Sequence, residues 1–272
     1  MQTIAQLILI CYNYKEVNKM PQVIFKKMSL EDNIKFIKTI INDKNNYIDI
    51  YQKTISLFPE LTNIKNKSEI TEIVTNYYNN NINNLEYDVK KYNKNWNKCN
   101  NNFFQELTKY LEIKWPSNHN IIEATVGIIP VCPRYLKNFT FSLHDGIKNE
   151  FLIEICAHEL CHFLWFEKWK ELYPNCPKNE FESPHIPWIY SEMVVDPILN
   201  SKNLQKVFDN RKHKYAYDSF YEIEYNNENI MNKLNEIYQS PLSIENKIKT
   251  GYQYISNYFN KEKESITKTR YS

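Results

Sequence analysis

Glycine is nearly missing from this chain, with three residues in 272. Asn, Lys and Tyr take the places usually held by Ala and Gly, a bias typical of A/T-rich coding, so asparagine-rich stretches carry little structural meaning. A surplus of charge is missing too: 34 Lys and Arg against 32 Asp and Glu leave +2, no broad electrostatic footprint for nucleic acid. The one basic run, Arg211-Lys212-His213-Lys214, reads as a solvated helix end or loop. The six cysteines (Cys11, Cys99, Cys132, Cys156, Cys161, Cys176) form no CxxC pair, which suggests no disulfide framework and fits a reducing compartment. No apolar run is long enough to span a bilayer, and the short stretch Ile4 to Cys11 lacks the basic residues that open a secretory signal. Together these absences predict a soluble cytoplasmic protein with neither nucleic acid nor membrane as a partner.

What is present is a globular composition, 42% hydrophobic and 15% aromatic. Met20 and Met28 follow closely behind Met1, and residues 1–28 read as an irregular leader. A helical N-terminal lobe is expected over 29–115. Ser29 and Asp32 make a capping pattern ahead of Ile34, Phe36, Ile37 and Ile40. A second helix over about 46–58 stops at Pro59. Ile70, Val74 and Tyr77 then recur three or four apart, as do Leu85, Val89, Tyr92 and Trp96, and again Phe103, Leu107 and Tyr110. That spacing predicts one long amphipathic helix, or two collinear ones broken near 79–84, with the apolar stripe as a buried core face.

The pattern changes at Pro116. Residues 121–131 are β-branched and apolar, and 139–143 alternate with a period of two, so both read as strands joined through a Cys132-Pro133-Arg134 turn. Helical sequence resumes over about 148–172, followed by a loop holding Pro174, Pro177, Pro184 and Pro187. Pro187 suits the first turn of a helix running to about Asp196. A core over 116–202 and a helical C-terminal lobe over 203–272 complete an α+β architecture that is mostly α, with a small sheet just before the helix of 148–172.

That helix carries His158-Glu159-Leu160-Cys161-His162. Residues four apart share one helical face, so the two imidazoles can meet at a point about 2.1 Å from each, the length of a zinc–nitrogen bond. Glu159 projects beside that point, where it can take a proton from a water that zinc has acidified and pass it to a leaving amine. With six histidines in the chain, an accidental His-Glu-x-x-His has a probability on the order of one in a hundred. The surrounding Ile153, Ile155, Cys156, Leu160, Phe163, Leu164, Trp165 and Phe166 predict a buried helix, on which such polar groups are costly unless something satisfies them. Cys161 lies elsewhere on the helix and reads as a packing residue.

A hydrolytic zinc site usually has a third protein ligand and leaves its fourth position to water. Glu192 is the leading candidate, with Asp196 one turn beyond it on the same face, placed to accept the Nδ1 hydrogen of His158. Glu182 and His185, in the proline-rich loop, are its rivals. An oxyanion-stabilising Tyr or His is expected from the chemistry, and Tyr190, His213, Tyr215, Tyr217 and Tyr221 are all open candidates.

The motif His158-Glu159-Leu160-Cys161-His162 with the downstream Glu192-x-x-x-Asp196 resembles the gluzincins, the thermolysin-like clan of zinc metallopeptidases. The resemblance covers roughly residues 120–200. It implies a zincin-like core in which His158, His162 and Glu192 bind zinc, Glu159 is the general base and Asp196 orients His158. It also implies that the strand around Phe139 to Leu143 borders the cleft and offers its edge to an extended peptide. Three departures are visible. The segment between His162 and Glu192 is longer than in thermolysin, no Gly-x-Met-x-Asn pattern of the clan's aminopeptidases precedes the motif, and the Gly and third His of metzincins do not follow it. The expected function is therefore a zinc-dependent metallopeptidase acting on peptides or unfolded protein. The alternative is a non-catalytic helical interaction protein that keeps a zinc site, for which the long helical stretch of the N-terminal lobe would supply the surface.

Overall fold

The computed structural model describes residues 20–64, 66–208 and 212–270, with side chains up to Lys261. The protein is mostly helical around one small sheet, as the pattern predicts. In chain order it comprises β1 (Gln22–Lys27), α1 (Leu30–Asn42), α2 (Ile48–Leu57), α3 (Lys67–Trp96), α4 (Asn100–Tyr110), β2 (Ile121–Gly127), β3 (Arg134–Tyr135) and β4 (Thr140–His144). It continues with α5 (Asn149–Leu172), α6 (Ile186–Leu199), α7 (Lys202–Val207), the two-residue strands β5 (Glu224–Tyr225) and β6 (Glu228–Asn229), α8 (Ile230–Gln239) and α9 (Ile244–Arg270). Among the described residues no helix is long and apolar enough to cross a membrane.

The four-stranded sheet has the order β1-β2-β4-β3. β1 and β4 both run parallel to β2, and β3 is antiparallel to β4 at the edge. This corrects the leader reading over Gln22–Lys27, while residues 1–19 lie outside the described residues. Val23 and Phe25 alternate with Ile24 and Lys26, so one face of β1 is buried and the other is not. Its partner is β2, with Gln22 opposite Ile121, and the helices α1 to α4 form the crossover that a parallel pair requires.

β1 is also an edge strand, and asparagines satisfy its outer backbone. Asn93 accepts from Phe25 N (3.1 Å) and donates to Phe25 O (2.9 Å), while Asn100 accepts from Val23 N (3.3 Å) and donates to Pro21 O (2.8 Å). Asn33 is fully buried, accepts from Ile128 N (2.9 Å) and closes the far end of β2. At least these three asparagines therefore have definite structural work, contrary to the expectation from composition. Asn93 and Asn100 remove unpaired edge groups that would otherwise invite another chain.

α3 runs unbroken for 30 residues, and the interruption falls at 97–99 instead of near 79–84. Trp96 is fully buried at the end of α3, its Nε1 donating to Asn100 (2.8 Å), and this tertiary anchor fixes where the chain turns into α4. One continuous hydrophobic core joins the sheet, α3, α4, α5, α6, α8 and α9, reaching from Val23 to Ile255. α5 lies inside it, with Cys156, Ala157, Leu160, Leu164, Trp165 and Trp169 all buried, so its histidines sit on a rigid support.

Candidate metal centre

α5 and α6 bring together the three side chains that the motif names. His158 Nε2 and His162 Nε2 are 3.0 Å apart, and Glu192 Oε2 lies 3.2 Å from the first and 3.5 Å from the second. Ligands about 2.0–2.1 Å from a tetrahedral ion stand roughly 3.3 Å from one another, so these spacings suit three corners of a zinc-sized tetrahedron. Among the described residues this is the group of His, Cys, Asp and Glu side chains that can hold a metal ion. Neither Glu182, exposed in the loop, nor His185, at the N-cap of α6, belongs to it. Cys161 is buried away from it in the core.

The tautomer of His158 follows from its other nitrogen. Nδ1 is 3.0 Å from the carbonyl oxygen of Tyr215, which can only accept, so Nδ1 carries the hydrogen and Nε2 presents its lone pair to the cluster. Burial opposes ionisation of Glu192, yet the Arg134 guanidinium 2.8 Å away favours its carboxylate, and its carboxyl stands well below the usual range. Burial, reinforced by Arg134, pushes the His162 imidazole down to about 3, so it is neutral and available as a ligand.

Asp196 lies on the expected face but has a different partner. Its Oδ1 accepts from Tyr215 N (2.9 Å), Tyr221 Oη (2.7 Å) and Asn200 Nδ2 (3.1 Å), so it acts on the backbone segment that carries the His158 acceptor and not on His158 itself. Asn200, a further turn along α6, donates to His213 O (2.8 Å) and accepts from His213 N (3.3 Å). Glu192, Asp196 and Asn200 thus form one stripe. The first faces the metal position, and the other two fix the strand of chain at 213–215. We expect Asp196→Leu to weaken metal binding by on the order of tenfold to a hundredfold, the range of changes to groups that orient ligands. Asp196→Asn keeps an acceptor oxygen and should lose less. Chelator competition measures both, and wild-type affinity in Asp196→Leu would show the Tyr215 carbonyl to be held without it.

The oxyanion candidates separate cleanly. Tyr190 is fully buried, with its hydroxyl 2.8 Å from that of Tyr238 and donating to Ile248 O (3.1 Å), so it is a core residue of α6. His213 Nε2 stands 3.1 Å from Glu154 Oε1, one turn before His158 on α5. Tyr221 is committed to its bond with Asp196 and Tyr215 is buried, which leaves Tyr217 as the exposed candidate. The residue is 55% exposed, and desolvation of its hydroxyl, together with Glu192 and Glu159, pushes its pKa up to about 12.

The sequence pattern places Arg134 only in a turn. It starts the edge strand β3, and its Nη1 lies 2.8 Å from Glu192 Oε1 and 3.8 Å from Glu159 Oε2. Only three of the 34 cationic residues are arginine, so an arginine just ahead of the predicted strand was the available signal. The same strand corrects the expected cleft border: β4 lies between β2 and β3, and the edge nearest the site is the two-residue β3. Compared with protein-family models, with curated proteins and with solved structures, the chain matches none.

Proposed function

We propose that the protein is a zinc-dependent peptidase of zincin-like type, with His158, His162 and Glu192 holding the ion and Glu159 as general base. The observation that carries this is the state of Glu159. It is buried beside the cluster but not part of it, and its Oε2 has no hydrogen-bond partner among the described residues. A site serving structure alone has no need of a buried carboxylate whose oxygen is left without a hydrogen bond there.

Zinc in that position would act as a Lewis acid on a substrate carbonyl and lower the pKa of water towards neutrality. Burial raises the Glu159 pKa above its ordinary value, although His158 and Arg134 oppose the shift. A raised pKa suits a group that takes a proton at its carboxylate oxygen and then returns it to an amine. His162 and Glu192 are 1% exposed and His158 is 19% exposed, so a substrate approaches from the His158 side. Tyr217, half exposed and within the field of both carboxylates, is the chain's hydroxyl donor for the developing oxyanion.

The zinc-loaded protein should carry close to one zinc per chain and cleave members of a diverse peptide mixture, read by mass spectrometry. His158→Ala and His162→Ala should lose both metal and cleavage. Absence of cleavage across varied peptides, with zinc retained, would favour the helical interaction protein instead. Full zinc retention in both variants would remove the site assignment.

A further inference from the structure

We propose that Arg134 is a positioning residue that keeps Glu192 a one-oxygen metal ligand and so leaves the fourth position of the site open. The two carboxylate oxygens of Glu192 have different environments. Oε2 faces both imidazoles, at 3.2 and 3.5 Å. Oε1 forms a 2.8 Å ion pair with Arg134 Nη1 and has no hydrogen-bond partner among the described residues.

A glutamate can ligate through one oxygen or through both, and the second mode fills space that a hydrolytic site reserves for water. The two oxygens of a carboxylate are so close that Oε1 needs only a small rotation to reach the ion. Arg134 opposes that rotation with a charge on the far side.

Two features argue that the arginine serves the carboxylates and not the fold. Its Nε and Nη2 are buried without hydrogen-bond partners among the described residues, whereas an arginine kept for structure normally satisfies most of its five donors. Its ion pairs are with Glu192 and Glu159. Charge balance alone does not explain it either. A divalent ion with two neutral imidazoles already offsets two carboxylates, so with metal bound Arg134 is surplus as a counter-charge. Its placement on β3 gives the side chain a backbone held by pairing, Arg134 opposite Phe141.

This inference rests on the metal site proposed above but not on peptide hydrolysis, so it is tested with cobalt(II) in place of zinc. Visible absorption reports the coordination number of cobalt without any substrate. Wild type should show the intense bands of a four-coordinate ion. Arg134→Met, apolar and of similar reach, should lose that intensity as Glu192 becomes bidentate, and Arg134→Lys, which keeps the positive charge, should recover most of it. Stoichiometric cobalt with unchanged bands in Arg134→Met would overturn the proposal while leaving the site and the peptidase reading intact. Weak, higher-coordinate bands in the wild type would overturn it without any variant, which covers the case of a Met variant that does not fold. If wild type binds no cobalt, the site assignment itself fails and the proposal falls with it.

Discussion

Glu159→Gln is expected to fold, keep its zinc and lose roughly two to four orders of magnitude of peptide hydrolysis, the usual worth of a general base. Glutamine has nearly the shape of glutamate and still offers an oxygen to a water, but it cannot hold a proton at neutral pH. Glu159 is not among the three converging ligands, so metal content should not change. Stability should not fall sharply either. Burial raises the Glu159 pKa, so above that pKa its ionised form detracts from stability. The substitution removes this penalty, against the loss of a loose 3.8 Å contact with Arg134. The measurement pairs the zinc content with the turnover of a peptide that wild type cleaves. Unchanged turnover would mean a different base, and loss of zinc would make Glu159 a ligand.

What could be read ahead of the structure was what is local. The geometry of His158, Glu159 and His162 follows from the helical repeat, and buried neighbours on α5 were visible as an apolar run. Glu192 was legible because its partner Asp196 sits one turn away. The partner of Asp196 was not, since the segment at 213–215 reaches α6 by folding back through Asn200, and no spacing encodes that return.

β1 escaped for a related reason. Among the described residues its one strand neighbour is β2, reached through four helices, so no hairpin turn marks it. Asn33, Asn93 and Asn100 escaped because asparagine is so common in this chain that the few with buried work do not stand out. Arg134 was hidden by the opposite circumstance: it is a rare residue whose partners, Glu159 and Glu192, lie on two other elements. Among Tyr190, Tyr215, Tyr217 and Tyr221 no spacing singles out Tyr217; the fold does, by leaving it exposed and within the field of both glutamates.

Glu192→Ala should cost more zinc affinity than either rival in the loop, and more than the ten- to hundredfold expected for residues that orient ligands. Its Oε2 is the third corner of the triad, whereas Glu182 is exposed and His185 sits seven residues before Glu192, about 10 Å along the helix. Glu182→Ala and His185→Ala should therefore bind zinc as wild type does. Glu192→Ala has a second effect that needs no metal, because removing the carboxylate leaves Arg134 buried with only the loose Glu159 contact. Breaking a buried ion pair from one side typically costs about 3–5 kcal/mol, so the variant should melt well below wild type even in chelator. Wild type itself should melt lower in chelator, since an ion held by the proposed ligands would join α5 to α6 and its binding energy would contribute to folding. In Glu192→Ala that chelator-dependent difference should be nearly gone. Melting curves of the four proteins with and without chelator, alongside zinc content, separate the two effects. If His185→Ala removed the chelator response while Glu192→Ala kept it, the third ligand would be His185 and the arrangement proposed for α6 would be wrong.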